Sequence, residues 1–293
     1  MRVAIAQADG KWPNLALAKL CAWHRAQGDT VEWFMALDRY DRVYASKVFT
    51  DTPHDFYLPN DAERGGTGYG NATKARVLPD EVESTRPDFS PWPRWRKSMG
   101  FSTRGCVRRC AFCVVPAKEG QFRVVADFSD LWDGKSSELL LLDGNATAAP
   151  IEHFRDMCIA SKIHDVEIEF NQGLDCRLFA RSHAHWLALA VTKRYIHFAF
   201  DSLAVEGAVR RTVKLCQSEG IAPRRLMFLT LVGFDSTPEE DTYRIDLLRS
   251  LGVNPFVMPF NRRDRYQKDL ARWCNSVVAR QSCTFAEYQK VAP

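Results

Sequence analysis

The hydrophobic pattern changes period several times along the chain, and each change predicts an element. Arg2–Gln7 is an apolar run of strand length, whereas from Asn14 to Gln27 the apolar positions recur at helical spacing, with Leu17, Leu20, Cys21 and His24 on one face. Val31–Ala36 and Arg42–Phe49 read as two further strands. Strand, helix, strand, strand is the order of a small Rossmann-like α/β unit. Periodicity then fades from Thr50 to Arg96, a stretch holding Gly65, Gly66, Gly68 and Gly70 with Pro79, Pro87, Pro91 and Pro93. It reads as an irregular connector.

A regular pattern resumes at Ser98. Apolar or β-branched runs begin near Ser98, Leu139, Val166, Ile196, Leu226 and Pro255, spaced 27 to 41 residues apart, with helical patterns between them. In 205–216, Val205, Ala208, Val209, Thr212, Val213 and Cys216 recur at three and four. Thr237-Pro-Glu-Glu240 is a capping box with proline at the first helical position. Strands about 30 residues apart are the mark of βαβ units, and six in series imply a parallel sheet curling into an incomplete barrel. A final helix over 265–281 carries Leu270, Trp273, Cys274, Val277 and Val278 on one stripe. The expected domains are a Rossmann-like unit with its connector (1–90), a partial (β/α)6 TIM-like barrel (91–262) and a helical extension (263–293).

With 46% hydrophobic and 26% charged residues, the 293-residue chain has the composition of a globular protein with a real core. No apolar stretch reaches the roughly 18 residues a membrane helix needs, and no secretory leader pattern opens the chain. A formal net charge of +4 permits an anionic substrate or nucleic acid without demanding one. Nine cysteines, an odd number scattered along a long chain, do not look like a disulfide framework. Three of them fall within eight residues, which points to metal and to a reducing cytoplasm.

Those three are Cys106, Cys110 and Cys113, in Gly100-Phe-Ser-Thr-Arg-Gly-Cys-Val-Arg-Arg-Cys-Ala-Phe-Cys113. Spaced by three and then two residues, they can wrap one short loop around a single centre. Soft thiolates select iron–sulfur clusters, zinc or Cu(I). A structural zinc site needs a fourth ligand, yet the next histidine is His153 and the next cysteine Cys158, both in a helical pattern. On a cubane, three cysteines leave one iron open to chelate a small molecule.

CxxxCxxC with an aromatic residue, Phe112, before the third cysteine resembles the signature of the radical S-adenosylmethionine superfamily. The flanks Ser102-Thr-Arg-Gly-Cys106 and Phe112-Cys-Val-Val-Pro116 look like its methylthiotransferase and cobalamin-domain branches, and the likeness covers about residues 95–262. It implies a 4Fe–4S cluster on Cys106, Cys110 and Cys113, with Phe112 beside the cofactor. It also implies S-adenosylmethionine on the open iron and reductive cleavage to a 5′-deoxyadenosyl radical that abstracts a substrate hydrogen. A one-electron donor such as flavodoxin or ferredoxin is implied as a partner.

Further cofactor positions follow from the same resemblance. Asp143-Gly144-Asn145 ends the second barrel strand where the family often carries Gly-Gly-Glu; the motif departs but keeps an acid for the ammonium group, with an Asp-Gly turn ending the strand as the alternative. Glu167, Glu169 and Asn171 share a strand face that needs polar partners. Beyond it, Asp175 and Arg177 are candidates, Arg177 for the carboxylate, with an internal ion pair as the alternative. Asp201, at the end of the fourth strand, faces the ribose hydroxyls or caps a helix. Gly233 ends the fifth strand on the adenine side. Cys21, Cys158, Cys216 and Cys274 fit apolar helix stripes and read as core, whereas Cys176 and Cys283 have no assigned role. Arg262, Arg263 and Arg265 form a basic patch after the last strand, fit to meet phosphate or only solvent.

Several outcomes share this chemistry. Methylthio transfer to RNA or protein, or methylation, is one alternative; yet the N-terminal stretch has only Cys21, and no Asp-x-His-x-x-Gly motif is present to seat a cobalamin. A non-catalytic iron–sulfur or zinc protein that binds nucleic acid is another.

Overall fold

The structure, a computed structural model, describes residues 1–53, 57–70 and 77–291. Residues 54–56 and 71–76 of the expected connector and the last two of the expected extension lie outside the described residues. The chain divides into two compact units, Met1–Leu140 and Leu141–Pro293, and is a mixed α/β protein with parallel sheets.

The first unit opens with a four-stranded parallel sheet of order β2-β1-β3-β4, formed by β1 (Arg2–Gln7), β2 (Thr30–Trp33), β3 (Arg42–Ser46) and β4 (Glu63–Gly65). β1 is buried on both faces, which is why it reads as an unbroken apolar run. Val3 and Ile5 pack with Leu17, Leu20 and Cys21, while Ala4 and Ala6 meet Val43, Ala45 and Leu58 on the other side. Helix Leu15–Ala26 begins where Asn14 accepts a hydrogen bond from the Leu17 amide at 3.1 Å. Its buried His24 is held between Asp29 (2.7 Å) and the Tyr44 hydroxyl (3.1 Å).

Two expectations for this region need correction. The connector is not wholly irregular: β4 lies within it, paired Tyr44 to Glu63, Ala45 to Arg64 and Ser46 to Gly65. Glu-Arg-Gly has no apolar alternation, so its extended form comes from the edge it joins. The third strand also stops at Ser46 rather than Phe49, because the Asp9 carboxylate takes the amides of Val48 and Phe49, each at 2.8 Å. Gly66 (φ +95°) lets the following turn close on the same segment, since a Cβ there would lie 2.3 Å from the Lys47 carbonyl oxygen.

Later along the chain come β5 (Ser98–Gly100), β6 (Thr103–Arg104), β7 (Arg123–Val124) and β8 (Glu138–Leu141), with β5 beside β8 and β6 antiparallel to β7. The second unit contains β9 (Glu167–Phe170), β10 (Ile196–Ala199), β11 (Leu226–Val232) and β12 (Asn254–Pro259). β10, β11 and β12 form a parallel sheet in that order. Parallel bridges Ile168 to Thr192 and Leu174 to Phe198 carry the β9 segment alongside β10. All six strands expected from Ser98 onward are present. Among the described residues, however, hydrogen bonding groups the strands into small separate sheets, none of them a barrel.

Helices Ile151–His164, Arg181–Leu189, Glu206–Ser218, Pro238–Ser250 and Arg265–Asn275 separate or follow these strands. The capping box forms as read: the Thr237 amide donates to Glu240 (2.9 Å) and the Glu240 amide to the Thr237 hydroxyl (3.3 Å). The last stripe is shorter than expected. Leu270, Trp273 and Cys274 are buried with Val232, Ile245 and Val257, but Val277 and Val278 are exposed. The helix stops because Asn275 binds both backbone groups of Val257, at 2.8 and 2.9 Å, and Ser276 caps a new helix, Val277–Ser282. No helix among the described residues is long and apolar enough to cross a membrane.

Candidate functional site

The cysteine loop runs from β6 to β7, and its base is clamped. Thr103 pairs with Val124 and Arg104 with Arg123, and the Val125 amide adds a bond to the Ser102 carbonyl at 2.9 Å. Gly105 sits at φ +74°, where a Cβ would meet the Gln121 carbonyl oxygen at 2.5 Å, so the chain can cross only with glycine. Its amide donates to Glu119 at 3.0 Å. The Arg104 guanidinium lies over the Phe101 ring (3.5 Å to the centroid) and reaches Glu83 (2.6 Å) and Glu119 (3.6 Å). Burial disfavours ionised Glu83, but Arg104 and Lys19 outweigh it and hold that carboxyl below its ordinary value. The frame is therefore a backbone ladder reinforced by charge.

Within it, Cys106, Cys110 and Cys113 are each half-buried, as is Phe112. The Arg108 amide points at the Cys106 sulfur (3.4 Å), and the Cys113 amide closes a turn on the Cys110 carbonyl (2.9 Å). Helix Val115–Glu119, with Pro116 in its first turn, follows directly. No disulfide forms among the nine cysteines. The contrast with the rest of the set is sharp: Cys21, Cys158, Cys176, Cys216 and Cys274 are all at most 1% exposed. Burial pushes Cys21, Cys176 and Cys216 up to about 12 and Cys274 up to about 11, and it raises Cys158 as well. These five are core thiols, Cys176 included. Cys283 is half-buried, its sulfur near the Ala279 carbonyl.

Among the described residues no three His, Cys, Asp or Glu side chains stand close enough together to hold a metal ion. In donor chemistry and placement the loop fits an iron–sulfur group: three accessible thiols on one short turn, with a backbone amide already directed at sulfur. Any metal held there would require the sulfurs to draw together.

In the second unit the sequence-predicted polar residues stand at the carboxyl ends of strands. Asp143 and Asn145, with Gly144 between them, follow β8 and are buried. Thr147 ties this turn to the next strand end, donating to Asn145 at 2.9 Å and accepting from the Asp175 amide at 2.7 Å. Asp175 holds Arg177 through three bonds: to its backbone amide (3.0 Å), Nε (2.7 Å) and Nη2 (3.1 Å). The internal ion pair is therefore formed. Asp201 accepts from the Leu231 amide at 3.2 Å; burial raises its pKa above the ordinary value, which that bond, Arg244 and Arg177 offset only in part. Gly233 (φ +74°) donates to Asp241 at 3.2 Å and abuts Gln267, whose Nε2 a Cβ would meet at 2.1 Å. Glu167 and Glu169 find a partner in Lys193, at 3.2 and 4.0 Å.

The sequence reading missed the brace beneath these strand ends. Arg244 is fully buried and donates to the Phe200 carbonyl (2.8 Å), the Leu231 carbonyl (2.9 Å) and Asp241 (2.5 Å). A signal existed: Asp241 and Arg244 fall on the helical stripe of Ile245 and Leu248, where a charge needs a buried partner. For Glu119, the partner of Gly105, spacing offered none.

At the carboxyl edge of the N-terminal sheet, where open α/β sheets commonly take ligands, Asp9 already fills the amide pair of Val48 and Phe49. The scan of protein-family models matches none, and the search of curated proteins finds no match.

Proposed function

We propose that the chain is a radical S-adenosylmethionine enzyme acting on a substrate still to be identified. One observation carries the reading: CxxxCxxC lies on a clamped, half-exposed loop, while five other thiols are withdrawn into the core. Cys106, Cys110 and Cys113 would hold a 4Fe–4S cluster, whose chemistry when bound would be to pass one electron from the donor protein to S-adenosylmethionine, splitting it into methionine and a 5′-deoxyadenosyl radical. The chain's own residues bind and orient. In the first unit Phe112 would flank the group that the cysteines hold; in the second, taken by itself, Asp143 and Asn145 would accept from an ammonium group around Gly144. In the second unit, taken by itself, Arg177, held in place by Asp175, would meet a carboxylate and Asp201 would take hydroxyls, whereas the space that the resemblance gives an adenine at Gly233 is filled by Gln267. The sequential parallel order β10-β11-β12, with β9 bridged to β10, supports the partial (β/α)6 barrel that the resemblance implies. A reducing cytoplasm and a flavodoxin- or ferredoxin-type donor suit such a centre. The absence of a lower-ligand histidine motif argues against cobalamin.

The test is anaerobic reconstitution with iron and sulfide, followed by reduction with dithionite in the presence of S-adenosylmethionine. A 4Fe–4S spectrum perturbed by S-adenosylmethionine, with 5′-deoxyadenosine formed, is expected. Zinc in the purified site, or an intact cluster that never yields 5′-deoxyadenosine, overturns the reading.

A further inference from the structure

Segment 86–97, which precedes β5, carries a groove of about 570 Å³ whose walls are both aromatic and basic. Five rings follow one another along the first unit. Trp12 lies 5.9 Å from Trp95, Trp95 6.3 Å from Phe89, Phe89 6.5 Å from Trp92, and Trp92 5.2 Å from Trp33. The cations Arg86, Arg96, Lys97 and Lys135 stand among the lining residues. Two carboxylates of the wall are already engaged: Asp88 pairs with Arg25, and Asp133 accepts from the amides of Lys135 (2.9 Å) and Ser136 (2.7 Å). Arg86 and Arg96 donate to backbone carbonyls, which leave their charge uncancelled. Lys97 is paired with Glu138 at 2.8 Å.

Rings gathered under a long segment are in part simply a satellite core. That reading accounts for Trp92, which packs on the sheet and donates to Gln7 at 3.1 Å. It does not account for Trp12 and Trp33, which stay 51% and 38% exposed beside the lining rings Trp95 and Trp92 and extend the aromatic surface beyond the groove. Nor does it account for the Trp95 indole N–H, buried with no hydrogen-bond partner among the described residues, a donor that costs energy until an acceptor is supplied.

We propose that this groove is a binding surface for single-stranded nucleic acid. Unpaired bases present flat faces that stack on such rings, and phosphates meet the guanidinium and ammonium groups alongside. A duplex keeps its base faces covered, and an acidic peptide has no planes to stack. The surface uses no residue of the cysteine loop or of the strand ends, so it stands or falls independently of the proposed chemistry.

Binding of a fluorescein-labelled oligothymidylate of about 12 nucleotides to the full chain, followed by anisotropy before and after iron loading, tests this. Saturable binding is expected, weakening about twentyfold between 50 and 200 mM salt if three phosphates are neutralised. Trp12→Ala should weaken it about tenfold and Trp12→Phe restore most of it. Arg96→Glu combined with Lys135→Glu should weaken it at least tenfold and flatten the salt dependence. All three positions are exposed, so circular dichroism should show these variants folded. Should Trp12→Ala not fold, the charge-reversed pair decides. No saturable binding at 50 mM salt overturns the proposal. So does polyglutamate or a duplex competing as well as the single strand, or an unchanged affinity in folded Trp12→Ala.

Discussion

The cysteine loop and the strand-end cluster solve opposite problems. In the loop, the constraints are carried by groups other than the cysteines: a two-rung ladder, Gly105 and the Arg104–Glu119 clamp shape the turn. At the strand ends the functional candidates are themselves the structure. Asp175 and Arg177 hold each other, and Asp201 holds the Leu231 amide. Chemistry and stability are separable in the first region and joined in the second.

The largest effect that tests this contrast is expected from Arg244→Ala. It leaves Asp241 as a buried carboxylate without its cation, a loss of about 3–5 kcal/mol. Thermal unfolding should show a drop of roughly 10 °C. A change under about 1 kcal/mol would mean that the strand ends do not depend on this brace.

Next comes Gly105→Ala, which meets both a positive φ and the Gln121 carbonyl. It should cost about 1–3 kcal/mol and lower iron incorporation in proportion, read by iron and sulfide analysis. Wild-type iron content in a folded Gly105→Ala protein would show that the cysteines shape the loop unaided.

Cys110→Ala and Cys216→Ala form the sharper pair. The first should lose iron, while its stability compared with the wild type, both iron-free, changes by less than about 0.5 kcal/mol. The second should keep iron while losing about 1 kcal/mol of core packing. Absorbance and denaturant titration on both proteins separate the two regions directly.

Asp201→Asn should have the smallest effect, and of opposite sign. Its folded pKa is raised, so whatever the protonated carboxyl contributes is present below the ordinary carboxylate pKa of about 3.9 and is lost as pH rises through the folded value. At neutral pH the buried charge is a cost that asparagine removes while still accepting from Leu231. A gain of a few degrees in melting temperature at pH 7 is expected, shrinking toward pH 4. A lower melting temperature at pH 7 would show that Arg244 and Arg177 depend on this carboxylate.

Much of this was legible before the fold was known, because it is written in local chemistry. A two-sided apolar run makes β1 a buried strand. Asn14 and the Thr237–Glu240 box start helices by satisfying amides within a few residues. Three cysteines in eight residues share one short loop wherever that loop lies. Such features depend on neighbours a turn away, so their order along the chain suffices to find them.

Only tertiary structure decided the rest. Glu63–Gly65 is a strand because β3 offers it an edge, and the last helix breaks because Asn275 finds the backbone of Val257 eighteen positions earlier. Which carboxylates are spent and which stay available, as for Asp9, Asp88 and Asp175, depends on donors brought from distant segments. Burial and pairing free energies belong to three-dimensional neighbourhoods. One-dimensional spacing fixes which side chains a segment can present and leaves open what they will meet.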